Sequence, residues 1–418
     1  MPSVAAAVFR AGGAVWQEAI GIADASGESA TAEHQYRIGS ITKTFTAVCV
    51  MQLRDEGLLH LDEQLRAYLP EVPPGPTVRY ALSHLSGLQR EPPGDIWESM
   101  RPPSREELLA GLEDAEQVLG PGDRWHYSNL AFGLLGEIVA RRRDASFRQV
   151  LQAHVLEPLG LGRTTFAPAA PTARGYFVEP YSDGLRPEPD VEMTETTAAL
   201  GQLWSTTGDL SRWGAFLADG NDAVLPRTTL DEMALVQTMV DQRGWTLAWG
   251  LGLELYRSGD RVYAGHGGAM PGFLAGLCVC RAERVGAVVL TNSSAGPKPE
   301  SLAVELANAS LDMLPPETAQ WRPDDGAPDE IAPLLGRWWS EGSELVFSLR
   351  GGRLQAVLVD GPPGRETSFF ERESDDRFRV AEGREQGELL RVVRDDTGVV
   401  TRMYLATYPL TREPQTFG

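Results

Sequence analysis

Hydrophobic and polar positions alternate along the chain in three successive textures. At the start, "SVAAAVFRAGGAVWQEAIGIAD" (3–24) reads as two strands around the turn Ala11-Gly12-Gly13. The spacing then becomes helical. "IGSITKTFTAVCVMQLRDEG" (38–57) predicts a helix from Ser40. "REELLAGLED", "LAFGLLGEIVARRR" and "SFRQVLQAHVLEPLG" continue the helical pattern in a helix-and-loop region that reaches about residue 220. Strands return after residue 245 in "WGLGLELYRSG", "RVYAGHGGAMPGFLAGLCVCRA" and "RVGAVVLTNS", and "PESLAVELANASLDML" predicts a closing helix. Strands at both ends with helices between them predict an α/β (α+β) fold. Its antiparallel β-sheet is flanked by helices and stands beside an all-helical insertion. The cleft between sheet and insertion is the natural place for a site.

The stretch "LPPETAQWRPDDGAPDEIAP" (314–333) is rich in proline and acid and reads as a linker. Beyond it, "SELVFSLRGGRLQAVLVDG", "DRFRVAEG" and "ELLRVVRDDTGVVTRMYLATY" are short alternating runs joined by tight turns. They predict a small antiparallel β-barrel or sandwich. The expected layout is therefore a mixed domain over 1–316, a linker over 317–333 and a β-domain over 334–418.

A hydrophobic content of 42% with 23% charged residues is that of a soluble chain with a substantial core. The net charge of −20 argues against nucleic acid or an anionic membrane surface as partner, since both require a basic patch. No apolar run approaches the roughly 20 residues of a membrane span. "MPSVAAAVFRAGGAV" lacks the basic start, apolar stretch and cleavage site of a secretion signal, so a cytoplasmic location is expected. Cys49, Cys278 and Cys280 are too few for a disulfide framework and read as buried thiols. With single scattered histidines and no phosphate-binding loop, neither a metal nor another cofactor is expected.

Candidate chemistry begins with lysine. The chain has two, Lys43 and Lys298, and Lys43 stands three residues after Ser40 in a mostly apolar helix. Residues three apart share a helix face, about 4.5 Å along the axis. A serine hydroxyl is a weak nucleophile until a neighbour takes its proton, and a half-buried amine of lowered pKa can do so. In "PGDRWHYSNLAFGLLG", Tyr127 and Asn129 alternate on a loop entering a helix, so both can face one cleft. Tyr127 can serve as a base if Lys43 stabilises its phenolate, and Asn129 can donate to a substrate amide; packing for Tyr127 and an N-cap for Asn129 are the plainer alternatives. In "AGHGGAMPGF", His266-Gly267-Gly268 marks a strand that something approaches closely, with Ala269 N–H and Ser40 N–H as an oxyanion hole; a bulge is the alternative. His84, in "LSHLSGL", reads as a loop tie.

The order and spacing of S-x-x-K at Ser40, Y-S-N at Tyr127 and H-G-G at His266 resemble the penicillin-binding-protein and serine β-lactamase superfamily. The likeness is to class C β-lactamase-like esterases and D-aminopeptidases, with "GQLWSTTGDLSRWGAFL" and "WGLGLELY" in support. "LLGRWW" and "YLATYPLTRE" are similar to the lipocalin-like β-domain of some members. The resemblance implies that Ser40 forms an acyl-enzyme from an ester or amide, that Lys43 and Tyr127 manage the proton, and that Asn129, His266, Gly267, Gly268 and Ala269 bind substrate. His266 stands where many relatives carry lysine. An ordinary histidine, with a pKa near 6.5, is a poor permanent anchor for a carboxylate, so ester and peptide substrates are expected over β-lactams. Two other functions are compatible with the motifs: a thioesterase that releases and cyclises peptides from a peptidyl carrier protein, and a retired enzyme kept as a binding protein.

Overall fold

A computed structural model describes residues 2–10, 13–182, 184–296, 298–313, 326–361 and 367–416. The chain separates into two units, 1–317 and 318–418. In the first, Ser3–Arg10 (β1) and Gly13–Gly21 (β2) pair antiparallel. The expected turn between them lies partly outside the described residues, at 11 and 12. Six more strands follow far along the chain: Thr238–Met239 (β3), Leu247–Trp249 (β4), Glu254–Ser258 (β5), Arg261–Met270 (β6), Phe273–Cys280 (β7) and Val285–Thr291 (β8). They form one antiparallel sheet in the order β2-β1-β8-β7-β6-β5-β4-β3, with Ala7 and Leu277 on either side of Val288. Side chains alternate between the two faces of a strand, so β1 divides its residues between two cores. Ala5 and Phe9 join the core shared with Thr207–Asp219 (α4). Ala6 and Val8 join Tyr263, Cys278 and Cys280 beneath the closing helix Pro299–Met313 (α5). All three cysteines are buried and free.

Between β2 and β3 runs the insertion, which carries Thr42–Asp55 (α1), Asn129–Arg143 (α2) and Glu195–Gly201 (α3). It is not all-helical. Tyr36–Arg37 pairs with Trp204–Ser205, and Tyr176–Val178 pairs with Leu185–Pro187. Ladders of two or three residues are too short to show an alternating pattern, which is why hydrophobic periodicity missed them. α1 is buried from Thr42 through Leu53, so its polar side chains need internal partners. Thr46 Oγ1 donates to the Ala199 carbonyl at 2.6 Å, and Thr44 Oγ1 accepts from Trp213 Nε1 at 2.9 Å. Phe45 stacks on the same indole with ring centres 3.7 Å apart.

The second unit is an eight-stranded antiparallel sheet from Gly336–Ser340 to Tyr408–Leu410, with strands in chain order. Trp339 and Thr411 exchange backbone hydrogen bonds of 2.8 and 2.9 Å between its two ends, curling it into a nearly closed barrel. Trp338, Phe347, Phe378 and Met403 fill the interior. Ile331 and Leu334 belong to this core, and the Leu334 carbonyl accepts from Trp338 Nε1 at 2.7 Å. The stretch read as linker lies outside the described residues over 314–325; nearer its end, Ile331 already packs in the barrel core. Among the described residues no helix is long and apolar enough to cross a membrane.

Candidate active site

Ser40 lies on a 3-10 turn, Gly39–Ile41, that runs directly into α1 at Thr42, two residues later than the apolar pattern suggests. The turn is pressed against β6. Gly39 takes a φ of +49°, and a Cβ there would stand 2.7 Å from both N and O of Ala269. On the facing strand, a Cβ on Gly268 would stand 2.0 Å from the Ile38 carbonyl oxygen. Two glycines therefore let the backbone of the nucleophile turn lie flush on the strand that carries Ala269. Held this closely, the backbone around Ser40 and Ala269 can present N–H groups to one oxygen atom.

Lys43 comes from the first turn of α1 and is completely buried. Its Nζ is 3.1 Å from Ser40 Oγ and donates to the Leu200 carbonyl, in α3, at 2.7 Å. It lies 5.1 Å from the centre of the Tyr127 ring and 5.6 Å from that of Phe132. Burial pushes the Lys43 ammonium down to about 7; Glu91 opposes the shift and Arg90 adds to it. Burial pushes the Tyr127 phenol well above the usual range, and the neighbouring Ser40 side chain offsets this only in part. The sequence offered two routes for the serine proton, a lowered-pKa amine and a lysine-stabilised phenolate, and these shifts bear on them differently. A phenolate stabilised by a lysine cation does not suit this environment, whereas a neutral amine that accepts the serine proton and a phenol that donates do.

Tyr127 is braced from below. His84, at a φ of +56°, accepts the Ser128 N–H on Nδ1 at 3.1 Å, and its carbonyl accepts the His126 N–H at 2.8 Å. Its ring centre is 4.2 Å from that of Tyr127. The loop tie thus grips the residues on both sides of the phenol. Ser128, not Asn129, caps α2, accepting the Ala131 N–H at 3.0 Å.

Asn129 is buried and oriented by Glu91, whose two oxygens accept from Nδ2 at 2.8 and 3.0 Å. Its Oδ1 is buried and without a partner. Beside the amide N–H expected to donate to a substrate, Asn129 thus also offers an unpartnered acceptor. His266 is 3% exposed and is pushed down to about 3, chiefly by burial and next by the Lys43 charge, so the ring is neutral. Its Nδ1 lies 2.5 Å from the Gly267 carbonyl oxygen and must carry the proton there, which leaves Nε2 a bare acceptor with no partner.

Ser40, Tyr127, Asn129, His266, Gly267, Gly268 and Ala269 all line one cleft of about 940 Å³, with Lys43 in its floor behind Ser40. Sequence reasoning did not single out Arg90, Glu91, Trp97, Trp125, Trp249, Glu254 or Glu300, which line it too. Trp249 and Glu254 lie in the quoted "WGLGLELY", but no spacing rule marks them as cleft residues. The indole N–H groups of Trp125 and Trp249 are buried without partners and remain available to a ligand. Among the described residues no cluster of three or more histidines, cysteines or carboxylates is placed to hold a metal.

A sheet covered on both faces beside a helical insertion, with a serine, a buried lysine and a tyrosine meeting between them, defines a class of serine hydrolases. The chain belongs to the beta-lactamase family, whose model matches residues 1–310, and it is a hydrolytic serine enzyme. A second model, "Domain of unknown function (DUF7586)", matches residues 327–412. The chain is 31% identical over 238 residues to Beta-lactamase-like protein 2 of Dictyostelium discoideum, covering 52% of this chain and 42% of that protein's length. It is 25% identical over 428 residues to a D-aminopeptidase of Brucella melitensis, covering 96% of this chain and 76% of the relative. Among solved structures, the D-amino acid amidase of Ochrobactrum anthropi SV3 in complex with L-phenylalanine superposes with a TM-score of 0.63 at 25% identity, over 74% of this chain and 93% of the amidase. The octameric penicillin-binding protein homologue of Pyrococcus abyssi gives a TM-score of 0.67 at 23% identity, over 98% and 96% of the two chains, and shares the fold.

Proposed function

We infer that the protein cleaves ester or amide bonds of small or peptide-like substrates through an acyl-enzyme at Ser40. The observation that carries this reading is the 3.1 Å contact between Ser40 Oγ and a fully buried Lys43 Nζ whose pKa lies near neutrality. Neutral Lys43 takes the hydroxyl proton as Oγ bonds to the carbonyl carbon. The N–H groups of Ser40 and Ala269 hold the developing oxyanion. The bond to the leaving group then breaks, and that group departs with a proton delivered through the Tyr127 hydroxyl. Water next attacks the acyl carbon, its proton returns through the same groups, and the acid leaves with Ser40 restored. The D-aminopeptidase and D-amino acid amidase among the relatives support amides within the substrate range.

Intact-mass measurement after treatment with a fluorophosphonate is expected to show one adduct, at Ser40. Ser40→Ala is expected to lose the adduct and to lower turnover of p-nitrophenyl acetate by about a thousandfold or more, as loss of an activated nucleophile does. Unchanged hydrolysis by that variant refutes the assignment.

A further inference from the structure

Gly267 lies one residue beyond His266 on β6, and two carboxylates converge on it. Its N–H donates to Glu254 Oε2 at 3.3 Å. On its open side, a Cβ would stand 2.2 Å from Glu300 Oε1. Glu254 comes from β5 and Glu300 from the start of α5, and burial pushes both carboxyls upward, with Glu300 adding to the effect on Glu254. Among the described residues neither has an arginine or lysine at salt-bridge distance, whereas Glu91 across the cleft is engaged by Arg90 and Asn129. The Lys298 charge acts on Glu300 only from beyond contact distance, and Tyr256 bonds Glu254 without bringing a charge, so the buried pair still favours a positive charge that reaches it.

Two further observations show what kind of group is missing. The His266 ring is 97% buried yet leaves Nε2 unpartnered, and Asn129 is 93% buried yet leaves Oδ1 unpartnered. Both line the same cleft and both are acceptors. A ligand that satisfies these two must donate hydrogen bonds, while the unpartnered indole N–H groups of Trp125 and Trp249 call for an acceptor elsewhere on it, and the faces of the same indoles suit a cation. Tyr127, which protonates the departing group in the mechanism above, faces His266 with ring centres 6.3 Å apart. A leaving group that extends past His266 toward Gly267 would come within reach of both carboxyls.

We propose that Glu254 and Glu300 form a leaving-group subsite for a positively charged nitrogen, so that the enzyme selects esters and amides whose departing half is cationic and rejects those whose departing half is a carboxylate. This rests on the acyl-enzyme reading, because it is that mechanism which orients the substrate.

The test is a matched set of acetyl thioesters with thiol release as the readout: 2-(dimethylamino)ethyl thioacetate, protonated at neutral pH, its neutral analogue 3-methylbutyl thioacetate, and S-acetyl-3-mercaptopropionate. Each transfers the same acetyl group to Ser40 as the C–S bond breaks, and the thiol leaves with the proton. The cationic thioester is expected to exceed the anionic one in kcat/KM by about tenfold or more, with the neutral one between them. Glu254→Gln and Glu300→Gln are each expected to shrink that ratio, and the double variant to bring it close to one. The ratio is internal to each preparation and so is insensitive to the fraction of folded enzyme. Equal turnover of the three, preference for the anion, no turnover of the cationic thioester by enzyme that hydrolyses p-nitrophenyl acetate, or a ratio untouched by the double variant overturns the subsite and leaves the acyl-enzyme standing. Failure of every ester together with absence of the Ser40 adduct overturns both.

Discussion

Burying an ammonium at the bottom of a cleft works against its charge, and at Lys43 that opposition is useful. On the proposed mechanism the amine must be neutral to take the proton of Ser40, so activity is expected to fall as pH drops through the Lys43 pKa, pushed down to about 7. A limb in that range is ordinarily assigned to histidine, yet His266 is held near 3 and does not titrate there. Two neighbours of opposite sign separate the assignments. Glu91 favours the ammonium, so Glu91→Gln lowers the Lys43 pKa and moves the acid limb of kcat/KM to lower pH. Arg90 disfavours it, so Arg90→Gln moves the limb upward. Shifts in the same direction for both variants, or no shift in either, remove Lys43 as the titrating base. At this scale the serine, lysine and tyrosine were legible because each motif is local. The state of Asn129 was not: which end of its amide faces the cleft depends on Glu91, 38 residues earlier in the chain. Glu254 and Glu300 escaped for the same reason, since only folding brings a strand residue and a helix start together beside Gly267.

The elements around the site owe their accuracy to backbone contact rather than to side-chain packing. Where the 3-10 turn of Ser40 meets β6 there is no room for a methyl group at Gly268, and the atom it would strike is a backbone carbonyl that cannot rotate away. Gly268→Ala must push turn and strand apart. Misplacement by about an ångström can cost on the order of a hundredfold in rate, and overpacking of this kind about 1–3 kcal/mol in stability. The variant is thus expected to lose kcat far beyond what its fall in Tm explains, measured on p-nitrophenyl acetate beside a thermal melt; wild-type kcat would mean that turn and strand are not held in this register. The Gly-Gly step was visible in the sequence as a place of close approach. Its partner at Gly39 was not, because a glycine before a helix reads equally well as ordinary loop. α1 was legible through its apolar content, but its start was not: Gly39, Ser40 and Ile41 continue the helical pattern while adopting a tighter turn.

Across the whole molecule, the buried apolar side chains sort by unit. Among the described residues, both cores of the first unit are built from residues up to Leu311, and the barrel core from Ile331 onward. Cooperative unfolding follows shared burial, so two cores with no common member form two cooperative units. Calorimetry of the full chain is expected to resolve two transitions. A chain ending at residue 316 is expected to reproduce one of them and to retain the fluorophosphonate adduct at Ser40, because the described residues that line the catalytic cleft lie at or before Glu300. The barrel alone has a sound basis for independent folding as well: its ends are joined through Trp339 and Thr411, and Trp338 is sealed inside under the Arg412 guanidinium, 3.8 Å from the indole centre. A single transition in the full chain, lost together with the Ser40 adduct on truncation, would show that the catalytic unit draws its stability from the barrel, and that separate cores here do not amount to separate folding.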